Sequence, residues 1–231
     1  MDHALPDFAP PDFAVARAMM VDCQVRPNKV SDPRILAAMR RLPREAFVPP
    51  AVVTRAYSDE DVPLGNGRYL MEPMVIARMV QAAAVRPGDR ALVVAAGTGY
   101  GAALLAECGA EVTALEQDAE LLAIARTALA ASGLSVSLVS GPPERGWHAA
   151  SPYDVILLEG AVEEVPAVLT EQLRAVSPGR TGGRLLVVRH EAGVSQAMLG
   201  ERVGDALSLQ PVFDCATPLL PALRRAPGFV F

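Results

Sequence analysis

The sequence predicts an α/β protein: a doubly wound, mostly parallel sheet with a helical extension at its N-terminus. Three observations predict it. Ala91 to Ala96 is an uncharged apolar run, the pattern of a strand buried on both faces of a parallel sheet. A glycine turn, Gly97-Thr98-Gly99-Tyr100-Gly101, follows at once and opens a helix through Ala102 to Ala106. Downstream, apolar strand-like runs alternate with helical ones, the signature of repeated βα units.

The elements follow in order. Residues 1 to 13 are proline-rich and read as a flexible tail; 14–85 read as the helical extension with a substrate-side loop; 86–231 read as the sheet domain. Phe13 to Val25 has helical periodicity through Val15, Met19 and Cys23, and Arg26-Pro27-Asn28 ends it. Ser31-Asp32-Pro33 supplies a cap and a first-turn proline for a helix through Met39, with Pro43 marking its end. Gly65-Asn66-Gly67 is a turn, and Met74 to Ala84 is a helix. Strands are predicted over Glu111–Leu115, Ser135–Val139, Tyr153–Leu158 and Gly183–Val188. Helices are predicted over Asp118–Ala131 and Glu164–Leu173. Ala197–Leu199 and Ser208–Phe213 read as further strands. Ala216–Pro221 and Pro227–Phe231 read as ordered coil or edge strand, since a terminal Phe-Val-Phe gains little in water.

Strand, glycine turn and helix together present backbone N–H groups and the positive end of a helix to a ligand, and glycine lets the backbone come close. Gly97-x-Gly99-x-x-Ala102 also fits the dinucleotide fingerprint. Glu116 ends the next strand about 20 residues past the turn, where an acid can accept from a ribose diol. The residues therefore favour a nucleoside ligand and leave a nicotinamide cofactor open as a distant alternative.

Composition narrows the class. Half of the 231 residues are apolar, ample for a core, and the net charge of −5 offers no electrostatic case for nucleic acid or an anionic membrane. No run is long enough to span a bilayer, and the acidic, proline-containing start lacks a signal peptide's basic region, so a cytoplasmic protein is expected. Cys23, Cys108 and Cys215 lack ligand spacing and read as reduced, packed thiols. His3, His148 and His190 show no metal motif, and no metal is expected.

Several ordered blocks resemble the protein-L-isoaspartate O-methyltransferase family. They are Met20-Val21 with Gln24-Val25, Asp32 to Met39, Pro43 to Pro49, Ala56 to Asp59 with Pro63-Leu64-Gly65 and Gly67, and Glu72-Pro73. The turn at Gly97–Tyr100, Gly146-Trp147, Ala161 with Pro166, and Gln172-Leu173 before Gly182 to Leu185 continue them. The likeness spans roughly residues 17 to 190 and includes N-terminal blocks that generic methyltransferases and dehydrogenases lack.

The resemblance implies a Rossmann-like, S-adenosylmethionine-dependent methyltransferase fold, with S-adenosylmethionine as cofactor and a protein or peptide isoaspartyl carboxylate as acceptor. It implies cofactor contacts from Ala95, Ala96, Gly97, Thr98, Gly99 and Tyr100. It further implies that Glu116 and Gln117 lie at the ribose and that Gly141 and Pro142 lie near the adenine. Glu159, at a strand edge, is a candidate for the cofactor's methionine end or a mere strand terminator. A carboxylate is already nucleophilic at neutral pH, so methyl transfer from a sulfonium rests on positioning and desolvation, and no Ser/His/Asp set is needed.

The chain also departs from the family pattern. Val93 and Ala95 stand where the family has an acid and a glycine, and Pro142 stands where an Asp follows the adenine-loop glycine. Met71 stands at the substrate-loop hydroxyl position and cannot donate a hydrogen bond. Arg68 and Tyr69 are candidate substrate anchors at the mouth, the alternative being a solvent-facing Arg and a half-buried Tyr. Glu72 reads as a helix N-terminal acid rather than a base, Asp154 as structural, and Met71, Met74 and Met79 as packing residues. These departures motivate a second expectation, a non-catalytic S-adenosylmethionine-binding relative or an enzyme with another acceptor.

Overall fold

The computed structural model describes residues 12–179 and 181–224. The stretch Pro227–Phe231 and most of the N-terminal tail lie outside the described residues.

The N-terminal helices start and stop where local chemistry dictates. The Asp12 carboxylate accepts from the amides of Ala14 and Val15 and caps α1 (Phe13–Met19). The helix continues without a break into a wider turn over Met20–Val25 and a tighter one over Arg26–Asn28, and Lys29 at φ 65° ends it. Asp32 caps α2 (Pro33–Arg41), with Pro33 in the first turn. Gly65, Asn66 and Gly67 all have positive φ, the conformation their side chains tolerate best, and they join β1 (Val62–Gly65) to β2 (Arg68–Leu70) as a hairpin. The sequence shows this turn; the structure adds the two short strands. α3 (Pro73–Ala83) follows directly.

The main sheet contains β3 (Arg90–Val94), β4 (Glu111–Glu116), β5 (Ser137–Ser140), β6 (Val155–Val162), β7 (Arg184–Glu191), β8 (Val194–Val203) and β9 (Ala206–Asp214). Their order is β5-β4-β3-β6-β7-β8-β9. The first five run parallel, and β8 and β9 add antiparallel at one edge. Strands β3 and β6 are buried almost throughout, in keeping with their continuous apolar sequences. α4 (Tyr100–Glu107) and α5 (Ala119–Ala131) complete the βα units, and Asp118 caps α5 through the amides of Glu120 and Leu121.

Several boundaries differ from the sequence reading. α6 (Ala167–Gln172) is shorter than predicted because Pro166 is extended and precedes the helix as its cap. β6 runs four residues past Leu158, so Glu159 and Gly160 lie within the strand, not beyond it. β8 and β9 are longer than their apolar cores because Ala192-Gly193 and Gly204 take the positive φ of tight hairpin turns.

One hydrophobic cluster joins the N-terminal helices, α3, α4 and α5 to one face of the sheet, so the extension shares the core. A second covers the opposite face with α6 and Leu220. After β9 the chain returns across the end of β6, where the Ala161 amide donates to Pro218 O at 3.1 Å and the Leu220 amide donates to Ala161 O at 2.9 Å.

Candidate active site: the crevice at the ends of β3, β4 and β6

The strand order reverses direction between β3 and β6, the place where open α/β sheets bind ligands. The turn after β3, the tip of β4 and Glu159 of β6 converge there, as the sequence reading requires.

Glu116 is the centre of this crevice. It is buried, and both carboxylate oxygens are engaged. Oε1 accepts from the amides of Gln117 at 2.8 Å and Asp118 at 3.0 Å; Oε2 accepts from the Gly97 amide at 2.8 Å and from Arg68 Nη1 at 2.7 Å. Arg68 Nη2 donates to Ala95 O at 2.6 Å. Arg68 is therefore neither a substrate anchor at the mouth nor a solvent-facing cation. Its position in β2 turns it inward, where burial obliges it to find a carboxylate. Tyr69, its neighbour on the strand, points the other way and is half-buried.

The glycine turn is occupied with its own structure. The Ala96 amide donates to Leu115 O, the Gly97 amide to Glu116, and the Gly99 amide to Ala96 O. The expectation that amides 97 to 101 lie free for a ligand is thus corrected, because Gly97 and Gly99 spend theirs internally. Thr98 Oγ1 donates to Phe47 O, and Tyr100 is fully buried edge-on to Phe47 at 5.3 Å, so their side chains serve packing rather than the crevice. A Cβ at Gly99 would press on Ala125 and Leu129 of α5; one at Gly97 would press on Leu64. Gly99 holds φ 88°, so the backbone calls for glycine there, and the close approach of α5 adds to that demand. Ala95 holds φ 54°, a left-handed conformation that glycine enters freely and alanine does not.

Glu159 is buried beside Gly101, whose missing Cβ leaves room for its carboxyl. Burial pushes its pKa up to about 8, with Arg68 opposing and Glu116 adding to the rise. Its Oε1 has no hydrogen-bond partner, and neither does Arg68 Nε.

Gly141 and Pro142 lead into Pro143, which lines the same crevice. The Gly141 amide donates to Glu116 O at 3.3 Å, and Pro142 precedes a short turn over Pro143–Arg145. Asn66, at the hairpin tip, donates to Asp118 Oδ2 at 2.8 Å and draws the hairpin over the opening.

Met71 and Glu72, which the sequence reading places in a substrate loop, lie apart from this pair. The Met71 side chain is buried in the core, and its carbonyl accepts from Arg44 Nη2 at 2.6 Å. Glu72 is the N-cap residue of α3 but caps nothing with its side chain; its amide donates to Asp61. Burial, then the charges of Asp59 and Asp61, raise the Glu72 pKa. Asp154 is structural, bound by Arg174 at 2.5 Å and by the Arg90 amide. Cys215 is half-buried, and burial raises its thiol to about 11, which makes it a poor nucleophile. Among the described residues no cluster could hold a metal.

Sequence reasoning missed Arg44 and Leu220, and it named Arg68 in a different role. Arg44 is fully buried, donates to Ala56 O at 2.7 Å, and lies 4.7 Å over the Tyr100 ring. Arg68 closes on Glu116. Leu220 seats against Gly160, where a Cβ would collide with it. All three depend on contacts distant in the chain.

The acceptors suit an adenosyl ligand: a strand-end carboxylate held by three backbone amides and a carbonyl at Ala95. The space does not. The crevice between Arg68, Glu116, Asp118, Pro143, Leu220 and Pro221 has a volume of about 60 Å³, against roughly 300 Å³ or more for sites that hold such ligands. Arg68 and Leu220 are among the side chains that line it.

The comparisons with known proteins agree on the family. The sequence model for protein-L-isoaspartate (D-aspartate) O-methyltransferase matches residues 16–210. The protein-L-isoaspartate O-methyltransferase of Methylorubrum extorquens (strain PA1) is 46% identical over 182 residues, 77% of this chain and 80% of that protein. Protein-L-isoaspartate O-methyltransferase 1 of Rhodopseudomonas palustris (strain HaA2) is 39% identical over 176 residues, 76% of this chain and 69% of that one. Among solved structures, a protein-L-isoaspartate O-methyltransferase superposes with a TM-score of 0.74 at 24% identity, over 91% of this chain and 67% of its own. A Plasmodium falciparum structure titled as a putative enzyme of the same name, in complex with S-adenosyl-L-homocysteine, gives 0.73 at 16% identity, over 89% and 98%. These two establish the fold. The family, fold and cofactor class expected from the sequence are borne out: the chain belongs to the protein-L-isoaspartate (D-aspartate) O-methyltransferase family of S-adenosylmethionine-dependent methyltransferases.

Proposed function

We propose that this chain transfers a methyl group from S-adenosylmethionine to the stray carboxylate of isoaspartyl residues in proteins or peptides, in the cytoplasm. The observation that carries it is the 46% identity to a protein-L-isoaspartate O-methyltransferase over four-fifths of that protein's length. Glu116, held by three backbone amides at the tip of β4, supports it as the group that would orient a cofactor's ribose. The other proposed cofactor-side positions are Ala95, Ala96, Gln117, Gly141, Pro142 and Glu159, which surround that carboxylate or face it across the crevice. The non-catalytic reading is not favoured by relatives this similar.

Met71 is buried in the core and its side chain offers no hydrogen-bond donor to an acceptor. A carboxylate acceptor is then received by groups other than a hydroxyl at this position. Incubation with radiolabelled S-adenosylmethionine and a peptide carrying one isoaspartyl residue tests the proposal. Base-labile methyl incorporation into that peptide, and none into the aspartyl twin, is the expected result. No incorporation into either peptide, from protein shown to bind the cofactor, would refute the acceptor assignment.

A further inference from the structure

We infer that Arg68 is an internal competitor for the cofactor and sets its affinity: its guanidinium occupies the Glu116 carboxylate and the Ala95 carbonyl, the two acceptors an adenosyl cofactor would need. This rests on the proposed S-adenosylmethionine site.

Three observations carry it. Arg68 is buried and makes its hydrogen bonds to those two acceptors, at 2.7 and 2.6 Å. It is also incompletely satisfied, because Nε is buried without a partner and Glu159 Oε1 nearby is equally orphaned. A guanidinium with a buried donor unpaired is held less firmly than a fully satisfied one, so a ligand that claims Glu116 and the Ala95 carbonyl can displace it. Finally, removing the guanidinium does not strand Glu116. The amides of Gly97, Gln117 and Asp118 still hold its carboxylate in place for a sugar diol.

Leu220 is the second plug. Seated in the space above Gly160 and tied to Ala161 by a 2.9 Å backbone bond, it brings the segment Pro218–Leu223 across the crevice. Cofactor entry therefore requires Arg68 to leave Glu116 and this segment to shift. The measured affinity is the intrinsic one reduced by the fraction of molecules in which both have moved.

Titration calorimetry with S-adenosylhomocysteine on the full chain, the Arg68→Ala variant and the Leu220→Ala variant tests this, with circular dichroism confirming the fold of each. Arg68→Ala is expected to bind about tenfold tighter than the wild type or better, and Leu220→Ala tighter by a smaller factor. If Arg68→Ala fails to fold, Arg68→Lys carries the same test, since a lysine cannot reach both acceptors at once. Equal or weaker binding by the Arg68 variant, with the wild type binding, would overturn the competitor role while leaving the cofactor site standing. Absence of binding by every variant at millimolar ligand would overturn both.

Discussion

Arg68 and Glu116, 48 residues apart in the chain, form a buried ion pair at 2.7 Å across the centre of the crevice. The hairpin carrying Arg68 belongs to the N-terminal segment that precedes the main sheet, whereas Glu116 ends a core strand. Their pairing ties the two halves of the chain together at the point where a cofactor would sit.

The two partners are not equivalent for stability. Arg68→Ala leaves a carboxylate with three amide donors, whereas Glu116→Ala leaves a buried guanidinium with a single carbonyl acceptor. Glu116→Ala should cost about 3–5 kcal/mol, the usual penalty for an uncompensated buried charge, and Arg68→Ala distinctly less. Urea denaturation of both variants checks this; equal losses would contradict it.

Ala95→Gly should stabilise the fold or leave it unchanged. Alanine at φ 54° carries about 1–2 kcal/mol of left-handed strain, and glycine returns about 0.5–1 kcal/mol of that as unfolded-state entropy. A rise of up to a few degrees in Tm is expected. A clear fall in Tm would show that the Ala95 methyl packs more strongly than its backbone is strained.

Glu159 should give the protein a pH-dependent stability. Its folded-state pKa, about 8, lies above the ordinary value of 4.5, so the folded state binds the extra proton between those limits. Stability then falls as pH rises from about 4.5 to about 8 and levels off above. Glu159→Gln, which keeps the shape and cannot ionise, should remove this fall, with its advantage over the wild type greatest near pH 9. Parallel stability curves for the two proteins from pH 5 to 9 would contradict the assignment.

Arg44 joins the N-terminal extension to the start of α4. Its side chain donates to Ala56 O and Met71 O and lies over Tyr100. Arg44→Ala should cost about 3 kcal/mol or more, because it strands two buried carbonyls and opens a cavity against the ring. Arg44→Met, refilling the space without the donors, should recover part of that loss. Thermal unfolding of both variants measures the difference, and equal losses would mean the donors contribute everything.

Much of this was legible in the sequence because it is written locally. Asp32-Pro33 and Asp118 cap helices by contacts two or three residues away, and Gly65-Asn66-Gly67 turns the hairpin by its own φ preferences. The apolar runs of β3 and β6 show their burial directly. Glu116 was found by its spacing from the glycine turn. What escaped depends on partners far along the chain. Arg68 in a polar-looking loop gives no sign that it folds inward onto a residue 48 positions away, and Leu220 in a proline-rich stretch gives none that it covers Gly160. The role of the glycine turn was misjudged for a related reason. Gly99 looks the same in sequence whether its missing Cβ admits a ligand or, as here, the side chains of α5.

The most direct measurement is a crystal structure of the chain grown with S-adenosylhomocysteine at saturating concentration. The account predicts nucleoside hydroxyls on the Glu116 carboxylate, the Arg68 guanidinium swung away from it, and Leu220 displaced from Gly160. Ligand bound elsewhere, or bound with the Arg68–Glu116 pair intact, would contradict it.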